Sequence, residues 1–241
     1  MRLLIVGASG GLGTSLVDML LQGSDCVIGA HGATKTRHSA AESRVIPIQA
    51  TLSTEADCID LVETFCSTAL GIDGLVVLAG KLTKTDHWDT LSAQEWQDDV
   101  HINLNIPFFL ARAAMRKMKT QGVGGRIILN GTESALHGGS PQSFPYAVAK
   151  RGTECMVQGL AREGAPDGIL VNGVRLGYIK SGFHQRWLGK DNHALEERAA
   201  LVPLKRGGEP DEAAALITYL LSGWATFITG QMLALTGGDW L

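Results

Sequence analysis

The sequence predicts an α/β fold, a doubly wound parallel sheet of seven strands with helices on both faces. Three observations predict it: short apolar segments alternate with helical patterns, the first apolar segment runs into a glycine-rich turn, and two later helices begin with capping boxes. Strands that are buried on both faces of a parallel sheet are apolar throughout, which fits this alternation. The 241 residues contain no linker, repeat or low-complexity segment, so we expect a single domain.

The first strand and the turn after it form a phosphate-binding pattern. Residues 3–6 are apolar, and a helical pattern follows the glycine-rich turn. Gly7 allows the tight turn, Gly11 lets the backbone approach a pyrophosphate, and Gly13 lets the helix pack closely on the strand. The free N–H groups and positive dipole end of the helix favour phosphate there. The expected dinucleotide-binding residues are Gly7, Ser9, Gly10, Gly11, Leu12 and Gly13.

The second strand, residues 26–30, leads into a basic stretch. A site for NAD is expected to carry a carboxylate here, which binds the adenosine ribose. Residues 31–37 contain none, and a basic stretch suits the 2′-phosphate of NADP. His31, Lys35 and Arg37 are therefore candidate ligands, and NADP is preferred over NAD. A solvated loop explains Lys35 and Arg37 almost equally well.

Five further apolar segments predict the remaining strands, and two capping boxes mark helix starts. The capping boxes are Thr54–Asp57 and Ser92–Glu95, and the second begins a long helix that we expect to bend at Pro107. Ligands of such sheets bind beyond the carboxyl ends of the strands. Ala79 and Gly80, at the end of the fourth strand, would let a cofactor lie close. The five segments are residues 45–48, 74–80, 125–130, 169–174 and 232–235.

Tyr146 and Lys150 lie four residues apart at the expected start of a helix, so their side chains share one face. A free tyrosine titrates near ~10. A nearby ammonium lowers such a pKa by roughly 1–3 units, which would make the pair a tuned acid/base. Taken alone, this spacing more often marks a half-exposed tyrosine and a solvated lysine.

Asn103 falls on the apolar face of the long helix that begins at Ser92. A buried asparagine needs hydrogen-bond partners. We therefore expect Asn103 to act either as a structural bridge between backbones or as part of a polar relay.

Together these motifs resemble the short-chain dehydrogenase/reductase family, in its shorter, reductase-type branch, over essentially the whole chain. Several motifs at matching separations carry the resemblance. It implies a Rossmann-type fold, and 3-oxoacyl-thioester reductases are the commonest relatives that it suggests. The motifs are Gly7-x-x-x-Gly11-x-Gly13, Leu78-Ala79-Gly80, Asn103, a hydroxyl after the fifth strand, Tyr146-x-x-x-Lys150, Val171-Asn172, Ile228–Gln231 and Gly237-Gly238.

The resemblance implies hydride transfer between NADP(H) and a carbonyl or secondary-alcohol substrate. Tyr146 would donate the proton, and Lys150 would lower the tyrosine pKa and bind the nicotinamide ribose. Asn103 would hold a water that connects Lys150 to solvent. The family usually has serine after the fifth strand, where this chain has Thr132. Ser134 lies nearby and is the alternative.

The resemblance also suggests further cofactor contacts. Gly177, Ile179 and Ser181 follow the sixth strand, where the nicotinamide carboxamide and the phosphates would lie. Thr51 replaces an aspartate that normally meets the adenine, and Leu52 follows it.

We expect residues 180–203 to form a substrate lid. Phe183 and Trp187 lie four residues apart and could form an apolar wall over the pocket or pack on a neighbouring subunit. Tyr178 and Trp240 are interpreted as packing residues.

Composition excludes several classes of function. The net charge is −3 without a basic tract, so we expect neither nucleic acid nor an anionic membrane as a partner. No apolar run approaches the ~20 residues that span a bilayer, and no secretory signal is recognisable. The four cysteines form no C-x-x-C motif, so we expect no metal site and a cytoplasmic protein.

The family resemblance suggests a homo-oligomer, a dimer or tetramer. The rival to an enzyme is a non-catalytic dinucleotide-binding protein of the same fold, such as a redox sensor or a scaffold subunit. Such a protein is expected to lose Tyr146 or Lys150 first, and this chain has both.

Overall fold

The computed structural model describes residues 1–23, 25–39, 41–82 and 88–239; Trp240 lies outside this part. Seven strands form one sheet, and all neighbouring strands pair in parallel. The strands are β1 (Arg2–Val6), β2 (Val27–Gly32), β3 (Val45–Gln49), β4 (Gly74–Val77), β5 (Gly125–Thr132), β6 (Ile169–Leu176) and β7 (Met232–Leu235). Their order is β3-β2-β1-β4-β5-β6-β7, which confirms the predicted doubly wound sheet.

Helices cover both faces of the sheet. Both predicted capping boxes are present at the starts of their helices. No helix in the described ranges is long and apolar enough to cross a membrane. The helices are α1 (Gly11–Gly23), α2 (Glu55–Ala69), α3 (Ala93–Val100), α4 (Ile106–Gln121), α5 (Phe144–Gly164), α6 (Phe183–Leu188), α7 (Asn192–Leu201) and α8 (Pro210–Leu221).

Strand β1 shows how the core is divided between the two faces. Leu4 and Val6 point to the layer formed by α2, α4 and α5, whereas Leu3 and Ile5 point to the layer formed by α1 and α8. All four side chains are buried. This is the burial on both faces that the uninterrupted apolar run predicted.

The connection from β2 to β3 departs from the expected alternation of strands and helices. Residues 33–39 and 41–44 form turns and bends there and no helix. The stretch is rich in small, polar and charged side chains without an apolar stripe. A helix formed from it would have no face to bury against the sheet.

The helix predicted from Ser92 is interrupted before Pro107. One π-helical turn, His101–Asn105, joins α3 to α4, and the N–H of Ile106 donates to the carbonyl of His101, five residues back. Pro107 has no N–H and lies in the first turn of α4, where it needs none. The predicted bend at Pro107 is thus a π-helical turn just before it, and Asn103 lies inside this turn.

Candidate active site

A cleft of about 1450 Å³ lies at the carboxyl ends of the strands. The glycine turn, the start of α5 and the segment after β6 contribute its walls. In the part of the chain that the structure describes, no cluster of three or more His, Cys, Asp or Glu side chains could hold a metal ion. The predicted site residues that line the cleft are Gly7, Ser9, Gly10, Gly11, Leu12, Gly13, His31, Thr51, Leu52, Ala79, Gly80, Thr132, Ser134, Tyr146, Gly177, Ile179 and Ser181.

The backbone of the glycine turn packs so closely on its neighbours that Gly7 and Gly13 have no room for a side chain. Gly7 adopts φ +97°, and a Cβ there would lie 2.7 Å from the N of Ala79. A Cβ on Gly13 would lie 2.2 Å from the carbonyl oxygen of Gly7. Helix α1 begins at Gly11, so the N–H groups of its first turn have no acceptor within the helix. These residues fit the diphosphate of a dinucleotide, which binds to such N–H groups and to the positive helix end.

Gly11 lies against the backbone of the segment that follows β6. A Cβ on Gly11 would lie 2.6 Å from the carbonyl oxygen of Ser181. Gly11 therefore allows the backbone after β6 to close on the glycine turn. That it also lets a pyrophosphate approach stays a prediction.

His31 is a buried, neutral structural residue. Its carbonyl accepts the N–H groups of Gly7 and Ala8, at 3.0 and 2.8 Å. Its ring, in a residue only 3% exposed, has Nε2 3.1 Å from the carbonyl oxygen of Ala50. Burial lowers the pKa of His31, so the ring is a poor cationic ligand for a phosphate.

Lys35 and Arg37 stand outside the cleft lining. Arg37 forms an ion pair with Asp18 of α1, and Lys35 is exposed to solvent. The guanidinium of Arg37 thus has a carboxylate partner in the protein by itself, and its contact with a 2′-phosphate stays a prediction.

Tyr146 lies at the centre of the cleft, in the first turn of α5. Its phenol interacts with the hydroxyl of Thr132, the last residue of β5. The hydroxyl of Thr132 also accepts the N–H of Ser134 at 3.4 Å. The ring of Phe183 packs on Tyr146 with 5.8 Å between ring centroids. Of the two hydroxyls considered after the fifth strand, Thr132 is thus the one that contacts the phenol.

Burial raises the pKa of Tyr146, a residue that is 8% exposed. The interaction with Thr132 lowers this pKa, and the charges of Asp99 and Glu133 raise it further. Lys150 Nζ lies 5.8 Å from the centroid of the phenol ring. The net shift of the tyrosine pKa is therefore upward in the protein by itself, against the predicted lowering, because desolvation of the phenolate is its largest cause. Lys150 is not among the groups that shift this pKa.

Lys150 is 1% exposed and lies behind Tyr146. Its Nζ donates to the carbonyl oxygen of Asn130 at 2.9 Å. Burial lowers the pKa of Lys150 to about 8, because the charged form is the one that loses hydration. The ammonium is therefore only moderately favoured at neutral pH.

Asn103 forms the structural bridge that was one of its two predicted roles. Its Nδ2 donates to the carbonyls of Lys81 and Asp99, at 2.7 and 2.9 Å, and its Oδ1 accepts the N–H of Lys81 at 3.2 Å. A Cβ on Gly80 would lie 3.0 Å from Asn103 Oδ1 and 3.8 Å from Lys150 Nζ. Asn103 thus ties the chain after β4 to the π-helical turn beside Lys150.

The sequence analysis missed one charged side chain of the cleft lining, that of Glu133. Glu133 directly follows Thr132, and its side chain is 7% exposed. Arg198 of α7 lies 3.5 Å from Glu133 Oε1 and also forms an ion pair with Asp239. His137 Nε2 lies 3.7 Å from Glu133 Oε2. All four side chains line the cleft.

Comparison with known proteins gives consistent matches along the chain. The family model described as enoyl-(acyl carrier protein) reductase matches residues 11–239. The chain is 34% identical over 249 residues to an L-rhamnose 1-dehydrogenase (NAD(P)(+)) of Azotobacter vinelandii, covering 98% of this chain and 94% of that protein. It is 31% identical over 239 residues to a 3-oxoacyl-(acyl-carrier-protein) reductase of Rickettsia typhi, covering 98% and 95%. A solved short-chain type dehydrogenase/reductase of Mycobacterium marinum superposes with a TM-score of 0.87 at 28% identity, covering 99% and 95%.

The buried carboxyl of Glu133 gives a prediction for stability. Burial, and next the charge of Asp239, raise its pKa to about 7, while Arg198 opposes the shift. A folded-state pKa above the unfolded value means that the folded protein holds a proton that the unfolded chain loses, so stability from this group falls between about pH 4.5 and 7. Glu133→Gln removes this loss, so its free energy of unfolding relative to wild type should rise by about 1–3 kcal/mol from pH 5 to pH 8.

Urea unfolding at both pH values measures this difference. Glu196→Gln, an exposed carboxyl on α7, is the matched control and should show the same difference from wild type at both pH values. A Glu133→Gln difference that stays constant or falls with pH would contradict the raised pKa.

Proposed function

The chain belongs to the short-chain dehydrogenase/reductase family, and we propose that it transfers hydride between NADP(H) and a carbonyl or secondary-alcohol substrate, with Tyr146 as the general acid/base. Membership of this family makes it an NAD(P)-dependent dehydrogenase or reductase. The observation that carries the proposal is that the phenol of Tyr146 and the hydroxyl of Thr132 interact and line the same cleft as the glycine turn.

A bound nicotinamide supplies the hydride for reduction or accepts it for oxidation. In reduction, Tyr146 gives its proton to the carbonyl oxygen as negative charge develops there. The hydroxyl of Thr132 donates a hydrogen bond to the same oxygen. The raised pKa of Tyr146 keeps the phenol protonated at neutral pH, which is the form that reduction consumes.

Lys150 and Asn103 act on the phenolate that proton transfer leaves behind. The ammonium of Lys150 stabilises that phenolate and binds the nicotinamide ribose hydroxyls. A water held at Asn103 links Lys150 to solvent, so that the proton returns to Tyr146. The position of Asn103 beside Gly80 and Lys150 supports this path.

Residues 180–203 form the substrate lid of this enzyme. The contact of Phe183 with Tyr146, the place of Trp187 in the cleft lining and the reach of Arg198 to Glu133 support this role. Closing this segment would exclude water from the reacting atoms, which strengthens the hydrogen bonds to the substrate oxygen.

We further propose a cytoplasmic homo-oligomer. None of the four cysteines, which all lie within the described residues, forms a disulfide, as expected in a reducing compartment. Trp224 and Phe227, just beyond α8, are 87% and 103% exposed, and such apolar side chains are typical of a surface that a second subunit covers. A monomer mass in sedimentation equilibrium would contradict the oligomer.

Tyr146→Phe tests the catalytic role. Loss of the proton donor should lower kcat by at least about 100-fold and leave the Kd for NADPH unchanged. The measurement is NADPH consumption with a panel of carbonyl substrates that includes a 3-oxoacyl thioester, together with sugar oxidation in the reverse direction. Tyr178→Phe is the matched control, since this tyrosine lines the same cleft and should retain nearly full turnover.

Two results would contradict the catalytic role. Unchanged turnover in Tyr146→Phe would exclude Tyr146 as the acid/base. Tight NADPH binding by the wild-type protein without turnover of any substrate in the panel would favour the non-catalytic alternative.

The preference for NADP has its own test. Its support is that the cleft lining beside β2, namely His31, Ala33 and Thr34, contains no carboxylate, while Lys35 follows directly. Lys35→Met should raise the Kd for NADPH by about fivefold, as expected for one exposed charge contact, and leave the Kd for NADH unchanged. Fluorescence titration measures both constants, with Lys119→Met, an exposed lysine on α4, as control. Tighter binding of NADH than of NADPH by the wild-type protein would overturn the preference.

A further inference from the structure

One carboxylate oxygen of Glu133 is buried in the cleft and receives no hydrogen bond from the described residues. This atom is Oε2, whereas Oε1 lies toward Arg198. His137 Nε2 is 3.7 Å from Oε2, which is beyond hydrogen-bond distance. More than nine-tenths of the side chain is buried. A buried acceptor without a donor costs free energy, so such an atom at a ligand site is typically paired when the ligand binds.

Glu133 lies at the same end of β5 as the residues that would hold the reacting atoms. Glu133 directly follows Thr132, whose hydroxyl contacts Tyr146, so both side chains extend from the same end of β5. The charge of Glu133 is felt at the phenol of Tyr146, which places the two groups in one electrostatic environment. A substrate with its oxygen at Tyr146 and Thr132 would present its neighbouring carbon atoms to Glu133.

The surroundings of Glu133 suit a substrate with hydroxyl groups. Asp239 shares the guanidinium of Arg198, so two carboxylates have one arginine between them. The nearby lining includes Ser134, Ser140 and Gln142, which all carry hydrogen-bonding side chains. An acyl chain placed here would bury methylene groups against charges, and a second anion would meet two carboxylates.

We propose that Glu133 is a specificity-determining residue that accepts a hydrogen bond, through Oε2, from a substrate hydroxyl beside the reacting carbon. The preferred substrates are then hydroxycarbonyl compounds and polyols rather than simple ketones or 3-oxoacyl chains. Arg198 is a positioning residue, because it holds the other carboxylate oxygen, Oε1. This inference rests on the proposed function, since it assumes that the substrate oxygen lies at Tyr146 and Thr132.

The test compares two substrates that differ by one hydroxyl, 2-hydroxycyclohexanone and cyclohexanone, with NADPH. Wild-type kcat/KM should favour the hydroxy compound by at least about tenfold, because a site built to bind a hydroxyl leaves a polar atom unpaired with the deoxy analogue. At pH 8, where Glu133 is mostly ionised, Glu133→Gln should reduce this preference several-fold, because a bond to a neutral amide is weaker than one to a carboxylate. Glu163→Gln, an exposed carboxyl near the far end of α5 and outside the cleft lining, should keep the wild-type preference.

The outcomes separate this inference from the proposed function. Equal wild-type kcat/KM for the two ketones would overturn the inference and leave the proposed function standing, and this comparison needs no variant to fold. A loss in Glu133→Gln that is equal for both ketones would also overturn it, because Glu133 would then only hold α7 through Arg198.

Turnover of neither ketone would count against the proposed function, and binding would then decide the inference. Cyclohexane-1,2-diol and cyclohexanol are titrated calorimetrically into the wild-type protein in the presence of NADP. Tighter binding of the diol, reduced in Glu133→Gln, supports recognition by Glu133, and equal binding of both alcohols overturns it.

Discussion

The contact between Tyr146 and Thr132 is the constraint on which the rest of the site depends. It joins the first turn of α5 to the carboxyl end of β5, so a helix and the central sheet together fix the phenol. The same packing buries Lys150 one helical turn further on, where the carbonyl of Asn130 is the acceptor that makes a buried amine tolerable. Burial therefore acts on both groups. It raises the pKa of Tyr146, which keeps the phenol protonated, and it lowers the pKa of Lys150, which makes the ammonium less favoured.

Close backbone contacts likewise fix the position of the glycine turn in the cleft. Gly7 lies against Ala79, Gly13 against Gly7, and Gly11 against Ser181, each at a distance that a single Cβ would close. These approaches hold the first turn of α1, the proposed phosphate site, to the ends of β4 and β6. Because the strands between them form one sheet, the separation between the phosphate end and the phenol is fixed by the fold.

Local patterns in the sequence were sufficient for the sheet, the glycine turn and the Tyr146 helix. Uninterrupted apolar runs, capping boxes and a spacing of four residues are signals that a short segment carries by itself. The role of the link from β2 to β3 was harder to predict. Whether Lys35 and Arg37 can bind a phosphate depends on whether a carboxylate of α1 lies near them in the folded chain. The π-helical turn at Asn103 had no signal of its own beyond the nearby Pro107.

The contacts among Glu133, Arg198 and Asp239 could not be predicted from short sequence patterns. Arg198 lies 65 residues from Glu133 and 41 from Asp239, and only the folded chain brings them together. An acidic residue directly after the predicted hydroxyl was the one available signal. For the same reason the pKa of Tyr146 was predicted in the wrong direction, since burial of the phenol cannot be judged from its spacing to a lysine.

The most direct measurement of the central claim is a crystal structure of the protein with NADP and an unreactive alcohol or ketone analogue. The account predicts that the oxygen of the analogue lies within about 2.6–3.2 Å of both the Tyr146 phenol and the Thr132 hydroxyl, with the diphosphate at the first turn of α1. An analogue oxygen bound away from Tyr146, or a diphosphate bound away from the glycine turn, would contradict it.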